Sequence, residues 1–301
     1  MQIGIDVGAT KIESVVLEKN GEEKHRSRIP CPKNYTQIIT SIKDIHRQLE
    51  QEFKQELQIG VCHPGVHSPQ TGLVKNAPNI TWLEKKPFQN DLRKALGKEV
   101  FCENDANCFV TSEAVDGAGK GLKVIFGAIL GTGVGGGIAI DGSPWIGTNL
   151  IAGEWGHNPL PWALADKKWP AGRDETPGPK CYCGKFGCIE TFLSGPALAR
   201  DHGSKFSSAE INVLATKGDL KAKNSIKRYE HRLARALASI INTIDPDAII
   251  LGGGLSNINR LYKNVPTLWG KWIFSPNCKT PLLKNVHGDS SGVRGAAWLW
   301  P

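Results

Sequence analysis

The chain lacks an apolar run of membrane-spanning length, a dense basic block and a GxxxxGK[ST] phosphate loop. The first absence argues against a transmembrane helix, which needs about 20 consecutive apolar residues. The second weakens a nucleic-acid role. The net charge of +8 is spread along 301 residues, and an anionic small molecule accounts for its sign equally well. The third excludes a Walker-type nucleotide site. The N-terminus enters a strand pattern by Ile3 with neither a basic leader nor a cleavable apolar segment, so a cytoplasmic location is expected. There the eight cysteines stay reduced unless a metal holds them, and Cys31, Cys62, Cys102, Cys108 and Cys278 read as small apolar fillers.

What is present fits an α/β protein rich in tight turns: 40% hydrophobic residues, 34 glycines and 18 prolines. A chain of this length slightly exceeds the usual single-core limit, so two lobes are expected. Ile3 to Val7 reads as a buried strand, Gly8 to Lys11 as a turn and Ile12 to Leu17 as a returning strand, with a hairpin signal at Asn20-Gly21. Ile38, Ile42, Ile45, Leu49 and Phe53 share a helical face, with Asn34 and Gln37 placed as a capping pair. Leu57 to Cys62 is a further strand.

The second half repeats that order. Val124 to Leu130 is a strand, Gly131-Thr-Gly-Val-Gly-Gly-Gly137 a glycine turn and Ile138 to Ile140 the return. A helix bearing Ile226, Tyr229, Leu233, Leu237, Ile240 and Ile244 ends before Pro246, and Ala248 to Leu251 opens onto Gly252-Gly-Gly254. The repetition suggests two copies of one nucleotide-handling lobe facing each other across a cleft; two unrelated hairpins are the plainer alternative.

Cys181, Cys183 and Cys188 fall within ten residues, with His157 as the nearest upstream imidazole. Three thiolates and one imidazole complete a tetrahedron around zinc and leave no position for water, which points to a structural site. Pro159 to Lys180, Pro-rich and charged, is expected to be a mobile functional segment.

Asp6 to Lys11 combines a carboxylate at a strand end, turn amides, a hydroxyl and a cation, the parts that phosphate and Mg²⁺ require. Gly131-Thr-Gly133 offers similar donors. Asp105, following the strand at Val100 to Cys102, could take a proton from a substrate hydroxyl, and Asn104 or Asp105 could equally cap the helix running to Ala114.

DxGxTK, ENDAN, GTGVGGG, GEWGH, CYCGKFGCIE and LGGGLS, in that order, resemble the ROK family of sugar kinases in the actin and hexokinase superfamily. Ser68-Pro-Gln-Thr-Gly72, Lys75-Asn76, Thr81-Trp82-Leu83, Asn158-Pro-Leu-Pro-Trp162 and the ending His287 to Trp298 are similar to bacterial fructokinases that also accept mannose, with the N-acetylglucosamine kinases and glucokinases of the family as the alternative. The resemblance implies a two-lobed actin-like, hexokinase-like ATPase fold of ribonuclease H-like duplicated lobes with a zinc-binding insertion. We place the lobes at 1–116 plus 290–301, and at 117–289.

It also implies Asp105 as catalytic base, with Gly65, Asn104, Glu154, His157 and Glu190 contacting the sugar. Asp6, Gly8, Thr10, Lys11, Thr132, Gly133, Gly253 and Gly254 would serve Mg-ATP, and His157, Cys181, Cys183 and Cys188 would hold zinc. A homodimer phosphorylating fructose is the expected form. The chain departs from the family at Ala9, in place of a second glycine, and at His63, in place of an aliphatic residue; His63 is expected to be able to reach the sugar. Family members that repress transcription carry a helix-turn-helix ahead of the first motif, for which residues 1–5 leave no room, so no nucleic-acid partner is expected.

Overall fold

The computed structural model describes residues 1–77, 80–163 and 175–300. In chain order the strands are β1 (Gln2–Val7), β2 (Lys11–Leu17), β3 (Glu23–Pro30), β4 (Gln58–His63), β5 (Val66–His67), β6 (Val74–Lys75), β7 (Phe101–Asn104), β8 (Val124–Leu130), β9 (Val134–Ile140), β10 (Ser143–Pro144), β11 (Ala248–Gly252) and β12 (Leu282–Lys284). The helices are α1 (Tyr35–Phe53), α2 (Phe88–Leu96), α3 (Asp105–Val115), α4 (Glu190–Leu193), α5 (Gly195–His202), α6 (Ser208–Thr216), α7 (Leu220–Ile244), α8 (Arg260–Trp269) and α9 (Ser291–Ala297).

Local chemistry sets the boundaries. Asn34 caps α1 by accepting the Gln37 amide at 3.1 Å, and Ile38, Ile42 and Leu49 form its buried stripe. Asp245 ends α7 in the left-handed conformation at φ 43°, immediately before the proline that could not continue it.

The two principal sheets have the same plan. The first has order β3-β2-β1-β4-β7 and the second β10-β9-β8-β11-β12. In each, the second-listed to fourth-listed strands are a glycine-turn hairpin followed by a parallel neighbour: β1 pairs antiparallel with β2 and parallel with β4, while β8 is parallel to β11. The duplicated α/β lobe expected from the sequence is therefore present.

The chain divides into two compact units, residues 1–123 with 137–152 and 286–301, and residues 124–136 with 153–285. Unlike the expected division, residues 137–152 belong with the first unit. A Cβ at Gly137 would lie 2.7 Å from the Ala106 carbonyl, so this part of β9 packs at backbone distance on α3. β9 also begins earlier than the glycine pattern suggests. Gly135, Gly136 and Gly137 are strand residues, the missing side chains of Gly136 and Gly137 permit close packing, and the turn itself is only Gly131 to Gly133.

In the first unit, α9 lies against β1, β4 and α3. A Cβ at Gly4 would sit 1.9 Å from Val293 O, one at Gly60 1.9 Å from Ala296 O, and one at Gly295 1.7 Å from Cys108 O. These are backbone-to-backbone approaches that no rotamer change relieves. Gly60→Ala is accordingly expected to cost about 3 kcal/mol or more, the upper end of overpacking effects. Gly270→Ala, where the added Cβ meets nothing within 4 Å, should be close to neutral. Chemical denaturation midpoints of the two variants check this difference.

Candidate functional site

In the second unit, the segment from Gly153 to His157 is fixed before any metal is considered. Gly153 takes φ 89°, and Trp155–His157 form one 3-10 turn. The Trp155 ring packs edge-on against Phe126 at 5.4 Å and donates its Nε1 hydrogen to Gly135 O at 2.8 Å. Gly156 lies so close to β9 that a Cβ would be 2.1 Å from Val134 O. His157 is thereby carried to the cysteine loop.

That loop is closed by Cys181 N–H donating to Lys185 O at 2.8 Å and Gly184 N–H donating to Cys181 O at 3.0 Å, with Gly184 and Gly187 at φ 91° and 70°. The ligand atoms of His157, Cys181, Cys183 and Cys188 all lie within 4.8 Å of one another. Cys181 Sγ is 3.5 Å from His157 Nδ1, and Cys183 Sγ is 3.6 Å from Cys188 Sγ. Tetrahedral zinc with bonds of about 2.0–2.3 Å needs ligand separations of roughly 3.3–3.8 Å, so these residues fit the ion. His157 Nε2 is 2.9 Å from Tyr182 Oη, which orients the ring with Nδ1 toward the thiols.

Two residues beyond Cys188, Glu190 opens α4, and its Oε2 accepts the Val134 amide at 3.0 Å. The carboxylate thus rests against the glycine turn: a Cβ on Gly133 would be 2.7 Å from Glu190 Oε2. Glu154 stands at the start of the 3-10 turn and accepts the His157 amide on its carbonyl at 3.4 Å.

The same unit carries the expected nucleotide residues of the second half. Gly131 N–H donates to Gly133 O at 3.0 Å, closing the turn, and Gly195 N–H donates to Gly131 O at 2.7 Å. Gly253 has φ 75° and no room for a Cβ, which would be 2.5 Å from Leu130 O. A depression of about 510 Å³ brings Thr132 and Gly254 together with Lys205, Phe206 and Ser207. Sequence reasoning missed these last three, which belong to no glycine motif; their one local signal is the Ser207–Glu210 capping box of α6.

The first unit carries the acidic residues. Gly8 N–H donates to Lys11 O at 2.9 Å and closes the turn after β1, leaving Thr10 exposed. Lys11 pairs with buried Glu13 at 2.9 Å, beside Arg26 and Arg28. Asp6, partly buried near the end of β1, has its carboxyl pushed up to about 6, chiefly by burial, partly offset by a hydrogen bond from Cys62, with Asp105 and Glu13 repelling its charge.

Asn104, not Asp105, is the N-cap of α3, accepting the Asn107 amide at 2.7 Å. Asp105 occupies the next position and accepts the Ala106 amide at 2.9 Å. Its side chain is exposed to solvent, although surrounding protein removes enough water to raise its carboxyl above the ordinary range. That exposure lets a substrate reach the group.

Gly65 has φ 85°, and a Cβ there would lie 2.6 Å from Lys75 O. His63 corrects an expectation. It is fully buried, edge-on to Phe88 at 5.4 Å, with Nδ1 2.9 Å from Pro64 O and Nε2 2.9 Å from His67 Nε2. Both ring nitrogens are engaged within the protein. His67, unremarked in the sequence, instead lines a cavity of about 280 Å³ beside Glu103 and Asn104. The Pro159 to Lys180 expectation lies largely outside the described residues, which omit 164–174.

The ROK family model matches residues 2–301 of this chain. An N-acetyl-D-glucosamine kinase of Vibrio atlanticus is 38% identical over 306 residues, covering 99% of each chain. Among solved structures, a ROK hexokinase from Thermus thermophilus is similar with a TM-score of 0.86 and 27% identity, covering 99% of this chain and 97% of that one. A ROK glucokinase from Streptomyces griseus, in complex with glucose and AMPPNP, is similar with a TM-score of 0.74 and 27% identity, covering 98% and 97%.

The donor set predicts about one zinc per chain in protein purified without chelator. Cys183→Ser should lower the metal content and expose the 181–188 loop to limited proteolysis, because structural zinc contributes about 10–16 kcal/mol in small domains. Elemental analysis finding no zinc in the unaltered protein would refute the assignment.

Proposed function

We propose, for a chain that belongs to the ROK family and is an ATP-dependent sugar kinase, that Asp105 is the general base and that the acceptor is a hexose, N-acetyl-D-glucosamine being the best-supported choice. The observation that carries the base assignment is a solvent-exposed carboxylate at the end of β7, fixed by its own helix start. Asp105 would accept the proton of a sugar hydroxyl as that oxygen attacks the γ-phosphorus. A new P–O bond forms, the bond to the bridging oxygen breaks, and ADP leaves.

Asn104 uses its side-chain oxygen in capping α3, which leaves its amide hydrogens as donors for a sugar hydroxyl. Gly65, Glu154, His157 and Glu190 are proposed as further sugar contacts. The turn amides around Gly8 and Gly131 to Gly133, with Thr10, Lys11 and Thr132, are proposed for the phosphates, and Gly253 and Gly254 for the nucleoside. Magnesium, which accompanies ATP in such kinases, would supply charge neutralisation, and Asp6 is the group proposed to face it. Zinc would hold His157 and Cys188, and through them the neighbourhood of Glu154 and Glu190. That role is positioning, apart from the reacting atoms.

N-acetyl-D-glucosamine is favoured by the Vibrio relative, aligned over nearly the whole chain. Fructose is kept as a second reading because Asn158 to Trp162 and the His287 to Trp298 ending are similar to fructokinase sequences. A coupled assay of ADP release over N-acetylglucosamine, fructose, mannose and glucose separates the two by kcat/KM. In the same assay, Asp105→Asn should lose about 10²- to 10⁴-fold in turnover while sugar affinity by calorimetry persists. A variant retaining most of its rate would remove Asp105 from the base role.

A second expectation concerns pH. Burial pushes the Asp6 carboxyl up to about 6, and only its ionised form suits a divalent cation. Affinity for Mg²⁺ should therefore be full above that pH and decline as pH falls through it. The kcat/KM for Mg-ATP, which reports the free enzyme, is the quantity to profile.

A further inference from the structure

We propose that His67 is a specificity-determining residue for the acceptor, its Nδ1 accepting a hydroxyl hydrogen from a sugar seated in the cavity at β7, with His63 fixing the tautomer that leaves this nitrogen bare. The inference deepens the acceptor reading above and rests on it.

Placement begins with the sheet. β4 and β7 run parallel, and His63 is the register partner of Asn104, so the buried histidine stands beside the residue that caps α3. The chain then turns through Gly65 and forms the β5–β6 hairpin, in which His67 pairs with Val74. Two bonds close the loop of that hairpin, Ser68 N–H donating to Leu73 O at 2.8 Å and Gly72 N–H to Ser68 O at 2.7 Å. The His67 ring stands edge-on to His63, with ring centres 4.9 Å apart and planes at 85°.

What His67 can offer is set by its hydrogens. Three contacts surround the two rings: His63 Nδ1 to Pro64 O at 2.9 Å, His63 Nε2 to His67 Nε2 at 2.9 Å, and His67 Nδ1 to Gly72 O at 3.3 Å. Each needs one hydrogen to be a bond, yet two neutral imidazoles carry only two. Burial pushes both rings below the ordinary histidine range and so keeps them neutral near pH 7, with Arg93 opposing a charge on His67.

The contact at 3.3 Å is the one beyond the usual N–H···O limit of about 3.2 Å. The hydrogens therefore sit on His63 Nδ1, donating to Pro64 O, and on His67 Nε2, donating to His63 Nε2. The reverse arrangement would set a bare His63 Nδ1 against a carbonyl oxygen at 2.9 Å, lone pair to lone pair. His67 Nδ1 is left bare, and the Gly72 carbonyl has no hydrogen to give it.

A bare imidazole nitrogen is satisfied by a donor, and His67 lines a cavity of about 280 Å³. His67, Gln89, Glu103 and Asn104 supply polar lining, and Ile146 and Leu150 part of the apolar lining. Gln89 donates its amide to Val100 O at 2.9 Å, which leaves its oxygen as an acceptor, and Glu103 adds a carboxyl. A set rich in acceptors repels an anion, so the phosphate end of ATP does not suit it. It fits a neutral polyol, whose hydroxyls donate and whose C–H face packs on aliphatic side chains.

¹⁵N NMR of the full chain with labelled histidine reads the tautomers directly. His67 should carry its hydrogen on Nε2, and its Nδ1 resonance should move when the best acceptor among N-acetylglucosamine, fructose, mannose and glucose is added. A hydrogen on His67 Nδ1 in the free protein overturns the proposal.

His67→Leu, which keeps bulk and removes the acceptor, should raise the KM for that sugar roughly 2- to 10-fold, the range for a hydrogen bond between neutral partners, with the ATP KM unchanged. Monodeoxy analogues of the same sugar give the readout that packing alone would not move. For the analogue lacking the hydroxyl held by His67, the ratio of variant to unaltered KM should fall to about one; for the others it should persist. An unchanged KM for the intact sugar overturns the proposal. So does an equal loss for every analogue, which would mark His67 as packing. Should His67→Leu not fold, Ile146→Trp fills the cavity from the loop after β10 and should raise the sugar KM while sparing that for ATP; no change there counts against the proposal. Were none of the four sugars phosphorylated by the unaltered chain, the hexose reading itself would fail, and this proposal with it.

Discussion

The approach of α9 to β1, β4 and α3 at backbone distance governs the first unit. Gly4, Gly60 and Gly295 are the points where helix and strand, or helix and helix, touch with no side chain between them. This packing brings together elements far apart in sequence: the last helix of the chain lies over the first strand. Its functional consequence is local. With α9 this close, Gly292 sits over Asp6 and Cys62, and α3 holds Asp105. Polar anchors fix the register of the helix: buried Glu113 accepts the amides of Val286 and His287 and the Ser291 hydroxyl, while Arg294 and His287 reach Asp116.

The second unit uses the same device in a different place. Gly156 against Val134 and Gly136 against Trp155 press the first half of the metal site onto β9, while Glu190 reaches from the second half to the Val134 amide. The candidate metal-binding residues and the glycine turn are thus one mechanical piece. A carboxylate already accepts an amide at the edge of the turn proposed for phosphate, and anything that draws Glu190 away would release that donor.

How much of this was legible depends on whether a signal was local. The strand, turn and return strand at the N-terminus, the Asn34 cap and the end of α7 at Pro246 follow from residues within one or two turns of each other, and all are found; the three cysteines are as local, whereas His157 joins them across 24 residues, with its ring nitrogen 3.5 Å from Cys181 Sγ. What escaped depends on partners distant in sequence. Gly135 to Gly137 look like a long turn, yet all three are strand residues, and the missing Cβ of Gly136 and of Gly137 matters only because Trp155 and Ala106 approach. Arg228, Arg232 and Arg235 would be assigned to a solvated face of α7. They are buried, because Asp201 and Glu175 pair with them at 2.6–2.8 Å. His63 is expected from the sequence to be able to reach the sugar, and the partner that occupies it, His67, becomes visible only when the β5–β6 hairpin forms.

The two carboxylates of the first unit show why site chemistry is harder to read than fold. Asp6 and Asp105 are both pushed upward by burial, and Asp105 also raises Asp6. Their supports differ. Asp105 stands in the first turn of an 11-residue helix and accepts its own neighbour's amide, so the helix terminus favours its anion. Asp6 stands near a strand end, beneath Gly292 in the first turn of the seven-residue α9. The Asp105 charge is among the influences, after burial, that hold the Asp6 proton, so a change at the start of α3 is felt near the end of β1.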